Sequence, residues 1–239
     1  MEHPSYIEAV VLAGGKGTRL KPLTDDLPKP LVPIGGRPIL DLLLTRLRKS
    51  NIRRARLAVN HMADQIECVI GDGKRWGIEV TYHHEPSPLS TVGPLKLIEG
   101  LPDDFVVVNG DILTDLDFAS LVQNHESSEA LVTVATCRRT HNVDFGVIET
   151  NSEGRMVAFS EKPTHSFTVS AGAYAFSRRV LDHVPDGTPF GFDDLMLRLL
   201  AKGLPIATFP HTGYWRDIGR PNDYLQAVEE FDGIRHLFE

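Results

Sequence analysis

Residues 12–34 read L-A-G-G-K-G-T-R-L-K-P-L-T-D-D-L-P-K-P-L-V-P-I, directly after a short apolar run at 7–12 with the composition of a buried strand. Glycines lack Cβ, reach positive φ and let backbone N–H groups close on a phosphate, so a glycine cluster after a strand points to an anion site. Gly14, Gly15 and Gly17 fit that pattern. Two common phosphate loops do not: Thr18 and Arg19 follow Gly17 where a Walker loop needs Lys and Ser/Thr, and Leu20 replaces the third dinucleotide glycine. Pro22, Pro28, Pro30 and Pro33 keep the segment stiff and non-helical, and Lys16, Arg19, Lys21 and Lys29 lie within it. An ordered loop of glycines, fixed turns and cations suits a triphosphate; the competing reading is a surface loop that is basic by accident.

Downstream, apolar runs alternate with helical patterns: strand near 7–12, helix near 38–49 opened by Pro38, strand near 55–59, helix near 63–70, strand near 78–82. That alternation predicts an α/β fold with a mostly parallel sheet covered by helices on both faces. At 239 residues the chain is expected to form one large domain over 1–239. Ligands in such sheets sit beyond the carboxyl ends of the strands, where both the glycine loop and Asn60 lie.

Charge narrows the partners. The 25 Lys and Arg against 32 Asp and Glu give a net −7, which argues against a general nucleic-acid or anionic-membrane surface. Residues 16–56 nevertheless hold eleven Lys/Arg against Asp25, Asp26 and Asp41, a local field for an anionic substrate, with the cations from Arg46 to Arg56 expected to decorate a helix end and a strand edge. Two cysteines without a C-x-x-C, no signal-like segment before the first apolar run, and no run near the roughly 20 residues that span a bilayer predict a cytoplasmic, disulfide-free protein.

The run Phe105-Val-Val-Val-Asn-Gly-Asp111 is a buried strand ending in an acid, a frequent way to present a carboxylate to a metal; a capping aspartate is the alternative. Asp115 and Asp117 are expected to cap the helix that follows. His83, His84 and Glu85 lack the P-C-x-x-C of a zinc deaminase, and no H-E-x-x-H occurs. From Ala130 the pattern turns to strands at 131–136, 145–150 and 156–159, with hairpin chemistry at Asn151-Ser-Glu-Gly154. Helical signals follow near 93–99, 178–183, 192–202 and 221–231, and a strand near 206–209.

Taken in order, the 12–34 stretch, Glu85-P-S-P-L-S-T-V-G-P-L, Asp111, Asp144-Phe-Gly146, Glu161-Lys162-Pro163, Val169-Ser-Ala-Gly-Ala-Tyr174 and Tyr214-Trp-Arg-Asp217-Ile-Gly219 resemble the motif set of the sugar-1-phosphate nucleotidylyltransferases, over nearly the whole chain. The resemblance implies a Rossmann-like three-layer sandwich, the nucleotide-diphospho-sugar transferase fold, with a nucleotide-binding half at about 1–125 and a sugar-phosphate-binding half at about 126–239. It implies that a nucleoside triphosphate and a sugar 1-phosphate react to give a nucleotide sugar and pyrophosphate, with Mg²⁺ held by Asp111 and Asp217.

By the same resemblance the nucleotide is held by Leu12, Ala13, Gly14, Gly15, Gly17, Thr18, Arg19, Asn60, Glu85, Ser90, Thr91 and Asp111; Arg19, Lys29 and Asp111 carry the chemistry; and Gly146, Glu161, Lys162, Ser170 and Gly172 take the sugar phosphate. Ser90, Val92 and Pro94 depart from the family's base-binding segment, and Ser170 stands where Asn is usual, which leaves the sugar open. An ionised Glu85 accepts hydrogen bonds and so leans toward guanine and GTP, with a mannose-type or heptose 1-phosphate as acceptor. A phosphocholine cytidylyltransferase of the same fold and a non-catalytic nucleotide-sugar-binding regulatory subunit are the alternatives. A homo-oligomer is compatible with the sequence. With the chain ending at Glu239, the β-helix acyltransferase region of many members is not expected.

Overall fold

The computed structural model describes residues 7–239; the segment read above as lacking a signal lies at 1–6, outside the described residues. The first half holds strand β1 (Ile7–Leu12), the two-residue strands β2 (Pro33–Ile34) and β3 (Arg37–Pro38), helix α1 (Ile39–Lys49), β4 (Ile52–Val59), α2 (Ala63–Ile70) and β5 (Glu79–His84). Then come β6 (Asp104–Asn109), β7 (Ile112–Thr114), α3 (Phe118–Glu126), β8 (Val132–Asn142), the hairpin β9 (Val147–Thr150) and β10 (Met156–Ser160), and β11 (Thr164–Ser177). Helix α4 (Phe192–Ala201), β12 (Ile206–Pro210), β13 (Trp215–Asp217) and α5 (Pro221–Ile234) complete the order.

Seven strands form one sheet in the order β12-β8-β11-β6-β1-β4-β5, and β11 alone runs antiparallel to both neighbours. Alternation along the central strands explains the layers. Ala9, Val11, Val106 and Val108 face a core with Leu40, Leu43, Ile66 and Leu121 from α1, α2 and α3. Val10, Phe105 and Val107 face the opposite core with Leu95, Leu195 and Leu199. Strands buried on both faces read as unbroken apolar runs, which is why β1 and β6 were visible in the sequence. The α/β class and mostly parallel sheet agree with the sequence reading.

Several local expectations change. Pro38 precedes α1 with extended ψ and pairs with Pro33 across β2 and β3, so Ile39 is the first helical residue. Residues 93–97 and 178–183 are 3₁₀ turns: Pro94 supplies no N–H, and i→i−3 bonds such as Leu95 N–H to Val92 O close the first of them. Asp117 caps α3 by accepting from Ala119 N–H at 3.0 Å, whereas Asp115 lies 3.1 Å from His211 Nε2 and does not cap. Arg46 donates to the carbonyls of Leu237 at 3.0 Å and Asp115 at 2.7 Å, and buried Arg56 pairs with Glu8 at 2.9 Å, so these arginines tie segments together instead of decorating the surface.

Strand β11 was not among the strands read from the sequence. Its C-terminal half pairs with β6 and β8; a register break between Ser170 and Tyr174, at Gly172 with φ +69°, ends the shared ladder. Beyond it, residues 164–170 pair only with 136–142, so β8 and β11 leave the sheet as a two-stranded arm joined through the β9–β10 hairpin. The 151–154 turn forms as expected, with Asn151 Oδ1 accepting from the N–H groups of Glu153 and Arg155 at 3.0 Å. No helix among the described residues is long and apolar enough to cross a membrane.

Candidate active site

Two adjoining cavities open at the carboxyl ends of β1, β4 and β6. The first, about 560 Å³, is lined by the loop after β1 (Leu12 to Lys16, Arg19, Lys29), by Asn60, Glu85, Ser90 and Thr91, and by Asn109, Asp111 and Asp217. The second, about 460 Å³, shares Arg19, Asn109 and Asp217 and adds Arg139, Ser170, Gly172, Tyr174, Trp215 and Arg220 among others.

Close packing explains the glycine loop. A Cβ on Gly14 would lie 2.8 Å from Glu85 Oε1 and 3.1 Å from Asn60 Cβ, so this position has no room for a side chain. Gly17 takes φ +62° and accepts from Thr24 Oγ1 at 2.8 Å, and its Cβ would press on Lys29 Cβ at 3.0 Å; it shapes the loop, and neither it nor Thr18 lines the cavity. Glu85 accepts from Leu89 N–H at 3.1 Å, yet burial is the larger influence and pushes its carboxyl above the ordinary value. Ser90 follows at φ +67°.

Charge is concentrated at the junction of the two cavities. Lys29, only 7 % exposed, forms an ion pair with Asp111 Oδ2, while Asp111 Oδ1 is buried with no hydrogen-bond partner. Asp217 reaches the same point because β13 pairs antiparallel with β7 and sets Asp217 opposite Ile112. Its carboxyl is raised by burial first and by Asp111 next, against the opposing pull of Lys29 and Arg19. A Cβ on Gly219 would lie 3.1 Å from both Asp217 oxygens and 3.4 Å from Arg19 Nη2, which places the Arg19 guanidinium beside that carboxylate.

In the second cavity Ser170 Oγ donates to Tyr174 Oη at 3.0 Å, and Trp215 Nε1 donates to Ala171 O at 2.7 Å. Burial pushes the Tyr174 phenol up to about 12, with the Asp111 and Asp217 charges adding to it. Gly146, Glu161 and Lys162 lie on the exposed arm and line neither cavity; Lys162 sits at φ +44° after Glu161.

The structure thus brings together Leu12, Ala13, Gly14, Gly15, Arg19, Lys29, Asn60, Glu85, Ser90, Thr91, Asp111 and Asp217, with Ser170 and Gly172 next door. Sequence reasoning missed Asn109, which lines both cavities from the end of β6 in the same run as Asp111, and Arg139 and Arg220. Arg220 directly follows a quoted motif and was legible there; Arg139 sits in a strand with no motif around it.

A family model described as nucleotidyl transferase matches residues 8–232. The chain is 38 % identical over 227 residues to a mannose-1-phosphate guanylyltransferase of Mycobacterium tuberculosis, covering 92 % of this chain and 63 % of that protein. It is 34 % identical to a UTP–glucose-1-phosphate uridylyltransferase of Synechocystis, covering 93 % of this chain and 62 % of the relative. The chain therefore spans a little under two thirds of the length of these curated relatives. Among solved structures, HddC from Yersinia pseudotuberculosis complexed with GMP-PN matches with a TM-score of 0.71 at 28 % identity, over 94 % of this chain and 99 % of that one.

Proposed function

The chain belongs to the nucleotidyl transferase family, among relatives named as sugar-1-phosphate nucleotidylyltransferases, and from that membership we propose that it joins a nucleoside triphosphate to a sugar 1-phosphate with release of pyrophosphate. The observation that carries the reading is the charged junction where Arg19, Lys29, Asp111 and Asp217 meet between two cavities. A reaction between two phosphate anions asks a protein for alignment and charge neutralisation, because the nucleophile and the leaving group belong to the substrates.

The first cavity takes the triphosphate, with the base toward Glu85 and Asn60 and the phosphates toward Gly14, Gly15, Arg19 and Lys29. The second takes the sugar 1-phosphate. A phosphate oxygen of the acceptor attacks the α-phosphorus in line; one P–O bond forms as the bond to pyrophosphate breaks, and no proton need be removed. Arg19 and Lys29 neutralise the charge that gathers on the α-phosphate and the departing pyrophosphate.

Asp111 and Asp217 fit a magnesium site. Their carboxylates crowd one another, Asp111 Oδ1 is buried without a partner, and magnesium prefers one or two carboxylates completed by phosphate oxygens and water. When bound, the ion supplies positive charge to the phosphates and fixes their mutual orientation. The two aspartates would hold it.

GTP and a mannose-type acceptor are the favoured pair, supported by the guanylyltransferase relative, by the neighbour solved with GMP-PN, and by a carboxylate at the base end of the cavity. The uridylyltransferase relative makes UTP with glucose 1-phosphate the comparison. The test is pyrophosphate release with Mg²⁺ for each common triphosphate against hexose and heptose 1-phosphates and phosphocholine. Release with GTP and a sugar phosphate is expected; release with CTP and phosphocholine alone, or silence with triphosphate binding intact, would overturn the reading.

A further inference from the structure

The second cavity raises a question of charge. If it receives a sugar 1-phosphate, a cation must meet that phosphate, and Lys162, which family resemblance nominates, lies on the arm outside the cavity lining. Three cations do line it: Arg19, Arg139 and Arg220. Arg19 stands at the junction and serves the triphosphate side as well. Arg139 is engaged, with Nη2 3.5 Å from Asp223 Oδ1 and its guanidinium 5.5 Å from the centre of the Trp215 ring.

Arg220 differs from both. Among the described residues no hydrogen bond or ion pair engages its guanidinium, and it is exposed along the cavity wall. Its backbone is nevertheless fixed. The preceding Gly219 is buried against the Asp217 carboxylate, Arg220 is extended at φ −140°, and its carbonyl accepts from Tyr224 N–H at 3.0 Å as α5 begins at Pro221. The first turn of α5 therefore holds this arginine three residues from Asp217, on the side of the junction away from the glycine loop.

We propose that Arg220 binds the phosphate of the acceptor in the second cavity, making it an acceptor-recognition residue of this chain. The assignment rests on the transferase reading above. A guanidinium offers paired N–H donors matched to two phosphate oxygens, whereas an ammonium offers a point charge, so the arginine supplies orientation as well as neutralisation. Arg139 and Asp223, bound to each other beside Trp215, remain for the sugar hydroxyls.

The experiment uses the whole chain and two readouts. In steady-state pyrophosphate release, Arg220→Ala is expected to raise KM for mannose 1-phosphate or glucose 1-phosphate roughly 10- to 100-fold, as loss of a charge-assisted contact does. KM for GTP should stay within about twofold, and Arg220→Lys should recover part of the loss because it restores charge without the fork. In calorimetry without nucleotide, wild type should bind the sugar 1-phosphate more tightly than the free sugar, and Arg220→Ala should erase that preference. The position is exposed and its side chain has no internal partner, so a melting curve matching wild type is the control for folding.

An acceptor KM unchanged in Arg220→Ala but raised in Lys162→Ala would overturn the assignment and return the role to the arm. A wild type that binds sugar 1-phosphate yet turns over no triphosphate would instead sink the transferase reading; the calorimetric preference would then still decide Arg220, with a preference retained in Arg220→Ala counting against it.

Discussion

Ile218 donates its backbone N–H to the carbonyl oxygen of Asp111 at 3.0 Å, and that bond extends the β7–β13 ladder past Asp217 to the residue that carries the other carboxylate. Two carboxylates, one from the middle of the chain and one from near its C-terminus, are thereby set at one point, Asp111 with a buried oxygen that has no partner and Asp217 with its carboxyl pushed upward. Lys29 and Arg19 offset part of the repulsion between the two carboxylates, and what is left of it lies where the proposed chemistry needs a further cation.

Asp217→Asn should separate stability from activity. A carboxyl raised in the folded state costs stability that grows as pH rises from its unfolded to its folded pKa, and the cost persists at neutral pH. Asp217 is exposed to solvent, which screens the effect, so the variant should melt only slightly higher than wild type at pH 7 in the absence of metal, while kcat falls about 10²- to 10³-fold. Calorimetric melts and pyrophosphate release read the two effects. A lower Tm would mean that the attraction of Arg19 and Lys29 outweighs burial, and an active Asp111→Asn enzyme would refute the metal assignment for both aspartates.

Glu85 should give the nucleotide step its pH dependence. Burial raises its carboxyl and the Leu89 N–H only partly opposes that, while base recognition as proposed needs the ionised form. KM for GTP is expected to rise on acidification, starting above the ordinary glutamate value of about 4.3. Glu85→Gln should bind GTP about tenfold more weakly at pH 7 and lose this acid limb. A wild-type KM flat down to the ordinary carboxylate range would remove Glu85 from base recognition.

Gly35→Ala tests the support of α5. The residue has φ +58°, and a Cβ there would lie 2.0 Å from two atoms of the Phe231 ring. Left-handed strain plus displacement of a buried aromatic predicts a loss of about 2–3 kcal/mol, or roughly 5–10 °C in Tm for a chain of this size. Phe231 lies on the helix that carries Arg220 at its start, so acceptor KM should suffer more than GTP KM. Equal effects on both would show that α5 moves without disturbing the second cavity.

His125 should set part of the acid limit of stability. It is 2 % exposed, shares a 2.8 Å hydrogen bond with Thr133 Oγ1, and burial lowers its pKa more than Asp104, 3.5 Å away, raises it. A histidine held neutral in the fold costs stability once pH falls below its unfolded value of about 6.5, because the unfolded chain then binds the extra proton. His125→Gln should flatten the fall in Tm between about pH 6.5 and 5. An unchanged slope would show that Asp104 compensates the charge.

Much of the first half was legible because its signals are local. Helix α2 was read at 63–70 and occupies Ala63–Ile70, since amphipathic spacing fixes a helix whatever it packs against. The buried strands β1 and β6 announced themselves as apolar runs with glycine or Asp at their ends. Motif order likewise pointed to Arg19, Lys29, Asp111 and Asp217.

What the sequence determined by itself was the α/β alternation, the glycine and proline loop, and the residue types from which a phosphate site is built. Tertiary structure alone decided their company. The β7–β13 pairing turns Asp217 toward Asp111, Gly219 leads Arg220 to the second cavity, and the register break at Gly172 carries Lys162 away on the arm. Backbone propensity and hydrophobic period act over a few residues, whereas the meeting of charges from 19, 29, 111, 217 and 220 depends on strand order and register, which short-range physics does not encode.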